Sequence, residues 1–588
     1  MQKYNFGVIG NCSFLAYIDT TANINWLCMP RFDSSFIFGS MLDKEQGGEF
    51  SISPQSSQYR SSQYYLQNTN ILATEFRLHN ARFRVIDFAP RFNQYDRYFK
   101  PLMIFRKIEL LEGNPFIRIR CNPVDDYGKI KPEIVAGSNH IRFLNMSSNC
   151  RLTTDIPLNY IMEGKAFLLN ETHYLVFSYG VPLEAPLVET AESFLVKTHD
   201  YWVKWVKSTS IPGIYQEEVI RSALVLKLHQ YEDTGAVIAS GSTSLPESDR
   251  GHRNWDYRYC WMRDTYYTLN AFNNIGHFEE LEKYFSFISN IIMNSQDNIK
   301  PLYTISGDSV PDEKILILAG YNGNKPVRIG NNAKYQIQND VYGQILVSLL
   351  PLFIDSRLNY SDNKQAEYIT KWLLDRIEDK MDIPDSGLWE FGETNQFHTY
   401  TYLFHWCGCQ AAIRIGNKMG KKSISRKAER LETISRTYLE KCYNRKKRAY
   451  MQSVGNEHFD ASTLQLVTMN YLKPGNSRAM QHLESIKKAL FRDGMFYRYL
   501  HDDLGEVNNA FIICGFWYAE ALAVSGCPEE ACKVIDKLVL STNHLGLFSE
   551  HAAKDSGQWG NFPQTYSHVG LVNAVYRLSR NLNKPIFL

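Results

Sequence analysis

The chain has no apolar run of the length, about 18 or more residues, that a membrane-spanning helix requires, so no membrane partner is expected. Its N-terminus, Met1-Gln-Lys-Tyr-Asn-Phe-Gly-Val-Ile-Gly10, lacks a charged region followed by an apolar core. The expectation is a soluble, unsecreted, cytoplasmic protein. Like charges do not gather either: 64 basic and 62 acidic residues leave a net charge of +2, with no basic stripe among aromatics, which argues against nucleic acid as a partner. Eleven cysteines follow no regular spacing, which suits reduced thiols better than a disulfide framework. Cys407-Gly-Cys409 has the wrong spacing for a zinc knuckle. No His-x-x-x-His and no calcium-loop pattern occurs, so neither a metal nor another cofactor is expected.

What is present is globular. Hydrophobic residues at 44% and charged ones at 21% supply ample core, and 588 residues exceed what one core usually supports, so two domains are expected. Aromatics reach 13%, with 36 Tyr and 33 Phe; a ring with a polar tip suits sugar recognition as well as large cores.

The first two hundred residues read as short strands. Phe76–His79 and Phe83–Phe88 flank a polar turn, Ile104–Leu111 and Phe116–Arg120 flank Glu-Gly-Asn-Pro, and Tyr174–Tyr179 follows, a pattern that predicts an antiparallel β-sandwich over 1–190. Ala191 to Ser208, with Trp202, Val203 and Trp205, reads as a connecting helix within a linker of 191–212. Beyond Gly213 the apolar period changes to about 3.6. Segment 215–231 aligns Val219, Ile220, Ala223, Leu224 and Leu228; 363–380 aligns Ile369, Leu373 and Ile377; 565–582 aligns Leu571, Val572, Val575 and Leu578. With 264–275, 277–294, 340–355, 400–418, 421–443, 460–470, 477–490, 510–525 and 528–540, the spacing predicts twelve helices. Twelve helices without intervening strands close into six hairpins, an (α/α)6 barrel over 213–588 in which each helix buries its stripe against two neighbours.

Long connections at 231–263, 295–339, 381–399, 491–509 and 541–564 alternate with short ones, so they fall at one end of the ring. Loops of that length usually carry function. Two of them hold Glu390, in Asp385-Ser-Gly-Leu-Trp-Glu390, and Glu550, in Gly546-Leu-Phe-Ser-Glu550. A carboxylate pair on loops suits glycoside hydrolysis, where one acid protonates the leaving oxygen and one base activates water or attacks the sugar. Trp389, Phe391 and Phe397 are placed to stack on pyranose faces, and the expected partner is a small α-linked gluco-oligosaccharide.

Several segments carry a resemblance. Arg253-Asn-Trp-Asp-Tyr-Arg-Tyr-Cys-Trp-Met-Arg263-Asp264 resembles the signature of glycoside hydrolase family 15, the glucoamylases and their trehalase-like bacterial and archaeal relatives. Ile9–Cys12, Trp26–Asp33, Pro326–Asn331, Asp340–Gly343, Gly387–Glu390, Phe496–Tyr499 and Gly560–His568 resemble further family segments in family order. The resemblance implies a β-sandwich joined by a helical linker to an (α/α)6 barrel, and inverting hydrolysis from the non-reducing end. It assigns Glu390 as general acid, Glu550 as general base, Arg263 and Asp264 as the pair that holds the terminal glucose, and Arg328 and Arg498 as two further pocket arginines. Those roles require Glu390 to carry a proton near neutrality, Glu550 to be ionised, and the carboxyls to stand roughly 6.5 to 9.5 Å apart. Arg263 and Asp264 also fit a plain ion pair at a helix start, Arg328 and Arg498 also fit loop braces, and His568 reads as a structural histidine.

Three positions depart from the trehalase-like pattern: His551 follows Glu550 where Glu is usual, Gln410-Ala411 replaces Asp-Arg, and Asn508-Asn-Ala-Phe511 replaces Glu-Gly before the aromatic. The first reading is therefore an exo-acting, glucoamylase-type α-glucosidase that releases β-glucose. Trehalase is the alternative within the family, and an inverting phosphorylase or a glycan-binding protein without turnover are the alternatives outside it.

Overall fold

The structure is a computed structural model that describes residues 2–295, 298–358, 364–391, 395–500 and 508–582. Residue 363, parts of the expected loops 295–339, 381–399 and 491–509, and the end of the 213–588 region lie outside the described residues.

Strands between Phe6 and Tyr179 form two large antiparallel sheets and a small two-stranded one, Phe92–Gln94 with Arg97–Phe99. One orders Phe6–Gly10, Leu15–Asp19, Ile24–Cys28, Glu49–Pro54, Phe116–Asn122 and Phe167–Leu168, with Phe36–Phe38 pairing Ile24–Cys28. The other orders Glu133–Ala136, His140–Leu144, Cys150–Thr154, His173–Tyr179, Met103–Glu112, Arg82–Phe88, Leu72–Arg77 and Arg60–Tyr65. Ile52, Phe50 and Ile119 from the first meet Phe83, Ile108 and Phe177 from the second in one apolar core, as alternating strands require. Arg106 ties the sheets: its guanidinium pairs with Asp87 and donates to the carbonyls of Phe50 and Ala22.

Met103–Glu112 and Phe116–Asn122, although they flank the Glu-Gly-Asn-Pro turn, do not pair with each other, because Met103–Glu112 already has both edges occupied, by Arg82–Phe88 and His173–Tyr179. The following strand crosses to the other sheet and pairs with Glu49–Pro54.

The helix Leu187–Lys207 leads into the helical region. Twelve helices follow among the described residues: Gln216–His229, Met262–Ile275, Phe278–Asn294, Asp340–Ile354, Lys364–Lys380, Thr399–Lys418, Lys422–Lys441, Gln465–Thr468, Ser477–Leu490, Ile512–Val524, Pro528–Val539 and Thr565–Leu582. The eighth is short and continues a 3-10 turn, Ala461–Leu464. They alternate between an outer and an inner ring. Ile512–Val524 is buried along almost its whole length, whereas Lys422–Lys441 buries one face, Ile424, Ser425, Ala428, Leu431, Glu432, Ser435 and Leu439. Each inner helix packs on the next, and Thr565–Leu582 touches both Ile512–Val524 and Met262–Ile275, which closes the ring.

Two inner helices approach unusually closely. A Cβ on Gly343 would lie 1.9 Å from the carbonyl oxygen of Phe404, and one on Gly408 would lie 2.6 Å from the Cα of Gly343. Backbone cannot yield there as a side chain would, so Gly343→Ala is expected to destabilise the protein by about 1 to 3 kcal/mol or more, as overpacking does. Chemical denaturation would measure it; an unchanged midpoint would contradict this crossing.

Candidate active site

Because inner helices alternate with outer ones around a closed ring, all inner helices start at the same end. Arg263 and Asp264 lie in the first turn of Met262–Ile275, Asp340 opens Asp340–Ile354, and Asp460 caps Ala461–Leu464 through the amide of Ser462. Phe511 precedes Ile512–Val524, and Tyr566 lies in the first turn of Thr565–Leu582. A cavity opens at this end. Glu390, Glu550, Arg263, Asp264, Trp389 and Arg498 all line it. The positive ends of helix dipoles favour the carboxylates gathered here.

Glu390 sits at φ 63°, in the left-handed region that costs a non-glycine residue roughly 1–2 kcal/mol. Its loop is fixed from below by Asp385, whose buried carboxylate accepts from the amides of Asn339 (2.8 Å) and Gly387 (3.3 Å) and the hydroxyl of Thr401 (2.8 Å). Burial and neighbouring Asp340 push Asp385 up to about 7. The side chain of Glu390 accepts from Trp261 Nε1 at 3.0 Å and lies 3.6 Å from the Arg263 guanidinium. Arg263 also donates to Asp264 (2.9 Å) and to the carbonyl of Leu388 (2.8 Å), so one guanidinium joins the Arg-Asp pair to the Glu390 loop. It is a helix-start ion pair and a cavity wall at once. Trp389 is anchored by its Nε1, which donates to Asp460 at 2.8 Å. Phe391 and Phe397 do not line the cavity; they pack on His398 and on Tyr402 and Tyr438.

Glu550 is reached from a different direction. It follows the turn at Gly546 and precedes a three-stranded ribbon, Ala510–Phe511, His551–Ala552 and Gln558–Trp559. The amide of Asn561 donates to its Oε2 at 3.3 Å, and Tyr257 also hydrogen-bonds the carboxylate. Gly560, at φ 75°, makes the space: a Cβ there would lie 2.5 Å from Glu550 Oε2. The Glu550 side chain is 2% exposed against 28% for Glu390. Burial therefore pushes the Glu550 carboxyl up to about 7, with Glu390 adding to the rise and Arg498, Tyr257 and Asn561 opposing it. At about 7, the Glu550 carboxyl is roughly half ionised at neutrality in the free protein.

Arg498 bridges the cavity to a buried acid absent from the sequence expectations, Glu247, at 3.0 Å. Glu247, Glu550 and His551 bring three ligand-type atoms within 4.8 Å of one another. Arg498 and, at 4.0 Å, Arg253 already neutralise that cluster, so its charge does not favour a cation.

Family models match two regions: residues 213–576 match glycosyl hydrolases family 15, and residues 5–155 match the trehalase-like N-terminal domain. The chain belongs to glycosyl hydrolases family 15. It is 32% identical to a trehalase of Thermoplasma volcanium, over 98% of this chain and 94% of that protein. A trehalase of Thermoplasma acidophilum is 30% identical, over 96% of this chain and 98% of that protein. In fold it is similar to a bacterial glucoamylase solved with acarbose, with a TM-score of 0.72 and 15% identity over 99% of this chain and 94% of that one.

Against this family background the remaining expectations sort by contact. Arg328 does not line the cavity: it pairs with Glu313 at 2.9 Å, donates to the carbonyls of His252 and Asn254, and stacks on Trp255, so it braces two long loops. His568 hydrogen-bonds Ser222 and receives the amide of Phe548, which makes it a structural prop of the Glu550 loop. Gln410 contacts Glu432 and Asn509 donates to the carbonyl of Glu247, both outside the cavity wall. Tyr257, Trp261, Gln564 and Tyr566, none of them among the expected site residues, also line the cavity. All four lie in the long connections or at the start of a helix, within or beside segments that carry the resemblance.

The buried carboxyl has a thermodynamic signature. Glu550 titrates near 4.5 when unfolded and near 7 when folded, so its stabilising contribution is complete below about 4.5 and lost as pH rises through 7. Glu550→Gln removes the buried charge and should raise the unfolding free energy at pH 8 by on the order of a few kcal/mol, seen as a higher melting temperature, with the gain fading at pH 5. A larger gain at pH 5 than at pH 8 would contradict this.

Proposed function

We propose that the protein is a trehalase that hydrolyses α,α-trehalose with inversion, Glu390 acting as general acid and Glu550 as general base. The observation that carries the reaction type is the meeting of these two carboxylates, from separate loops, in one cavity walled by Arg263, Asp264, Trp389 and Arg498. The substrate choice rests on relatives called trehalase that match along nearly the whole chain. Likeness to glucoamylase is a likeness of fold at 15% identity, so exo-cleavage of longer gluco-oligosaccharides takes second place.

In this mechanism Asp264 accepts hydrogen bonds from hydroxyls of the bound glucose, and Arg263 holds that carboxylate in position. Glu390 gives its proton to the glycosidic oxygen as the C–O bond breaks. Glu550 takes a proton from the water that attacks the anomeric carbon from the opposite face, which the oxocarbenium-like transition state favours. Arg263, 3.6 Å from Glu390, stabilises the carboxylate that proton loss leaves behind.

Stereochemistry tests this directly. Inverting cleavage of trehalose yields one β-glucose from the attacked ring and one α-glucose from the leaving group, whereas retention yields α-glucose alone. Early NMR spectra should show the two anomers in equal amounts, with kcat/KM higher for trehalose than for maltose, isomaltose or starch. Preference for maltose or starch would favour the glucoamylase reading, and glucose 1-phosphate formed only with phosphate would favour a phosphorylase.

Glu390→Gln and Glu550→Gln should each lower turnover on the order of a thousandfold, within the 10² to 10⁴ that general acid–base help supplies. For the wild type, kcat/KM should fall on the acid side with a midpoint near pH 7, where Glu550 gains its proton in the free enzyme.

A further inference from the structure

His551 is the departure from the trehalase-like pattern that lies against the cavity. Its backbone is pinned in the ribbon between Phe511 and Trp559, and its ring stacks on Phe511 with centroids 4.9 Å apart and planes 20° apart. The side chain is 1% exposed, and neither ring nitrogen has a hydrogen-bond partner among the described residues. Nδ1 faces Glu550 Oε2 at 3.6 Å and Nε2 faces Glu247 Oε2 at 3.8 Å. A buried imidazole aimed at two carboxylates, with neither nitrogen engaged, is poised to bond one of them.

Which one is decided by charge. Burial, Arg498 and Arg253 hold the ring neutral, with its pKa pushed down to about 3 against the pull of Glu247. A neutral ring has one N–H. Glu247 is already paired with the Arg498 guanidinium at 3.0 Å and lies 4.0 Å from that of Arg253. With its charge already met by two guanidiniums, and 3.8 Å from Nε2 against 3.6 Å between Nδ1 and Glu550, Glu247 has the weaker claim on the single N–H. The proton is left on Nδ1, on the side of Glu550, whose carboxylate is served by Tyr257 and Asn561 and also faces the charge of Glu390.

We propose that His551 is a positioning residue for Glu550: its Nδ1–H donates toward Oε2 of the carboxylate, holding it ionised and oriented as a base, while Glu247 with its two arginines fixes the tautomer. This rests on the reading of Glu550 as general base.

Three variants separate the donor from the volume. Asparagine places its amide nitrogen near imidazole Nδ1, glutamine places its own near Nε2, and leucine has neither. His551→Asn should keep the acid limb of kcat/KM near its wild-type position. His551→Gln and His551→Leu should move that limb up by about one pH unit, since a hydrogen bond to the charged form is lost, lowering kcat/KM about tenfold at pH 6. The position of the limb does not depend on how much enzyme is folded, so destabilised variants remain informative. An unmoved limb in His551→Leu, or a limb in His551→Gln that matches His551→Asn, would overturn the proposal. Glu550→Gln distinguishes the two readings: full turnover there removes the base itself, whereas an inactive Glu550→Gln with an unmoved His551→Leu limb removes only the role of His551.

Discussion

The parallel course of the inner helices is the constraint on which the site depends. In a ring closed by alternating inner and outer helices, every inner helix must run the same way, and six N-termini then gather at one end. Their partial positive charge and their first-turn side chains are what a carboxylate-rich cavity needs. The close crossing at Gly343 and Gly408 serves the same end, by letting two inner helices approach without side chains between them.

The cavity is assembled at a cost to stability. Glu390 occupies a backbone region that suits glycine, Glu550 is buried with its charge incompletely matched, and Asp340, Asp385 and Asp460 are raised by burial close by. The β-sandwich helps to hold this arrangement. Trp26 donates to the carbonyl of Gly241, Tyr4 to that of Gly560, and Arg258, doubly bonded to Asp256, reaches the carbonyl of Ser34. A single apolar cluster runs from Tyr4, Val8 and Trp26 into Leu224, Leu547 and Phe562, so the sandwich acts as a wall of the helical region.

Much of the architecture was legible in the sequence, because burying one stripe imposes a 3.6-residue period and Val219, Ile369 and Leu571 report it directly. What periodicity does not carry is which strand edge is free, and so it does not signal that the chain crosses to the other sheet between Met103–Glu112 and Phe116–Asn122. Glu390 and Glu550 stood out because they sit on long loops at one end. Glu247 did not, because nothing in its local sequence signals that Arg498, far along the chain, will fold against it. The Arg328 guanidinium shows the reverse limit: an arginine in a functional loop is as well suited to bracing carbonyls as to binding ligand, and only its contacts tell which.

The bond from Tyr4 to Gly560 spans 556 positions, and Tyr4 also receives support from Gln558. The glycine that makes room for the Glu550 carboxylate is therefore held by a residue from the opening strand region of the sandwich. During synthesis the sandwich emerges early, yet the cavity lacks the walls that Glu550, Gln564 and Tyr566 supply until the last inner helix, Thr565–Leu582, has been made and docked. Partly synthesised chains would carry a formed sandwich and several ring helices without hydrolytic capacity, and chemistry would begin only when early and late segments meet.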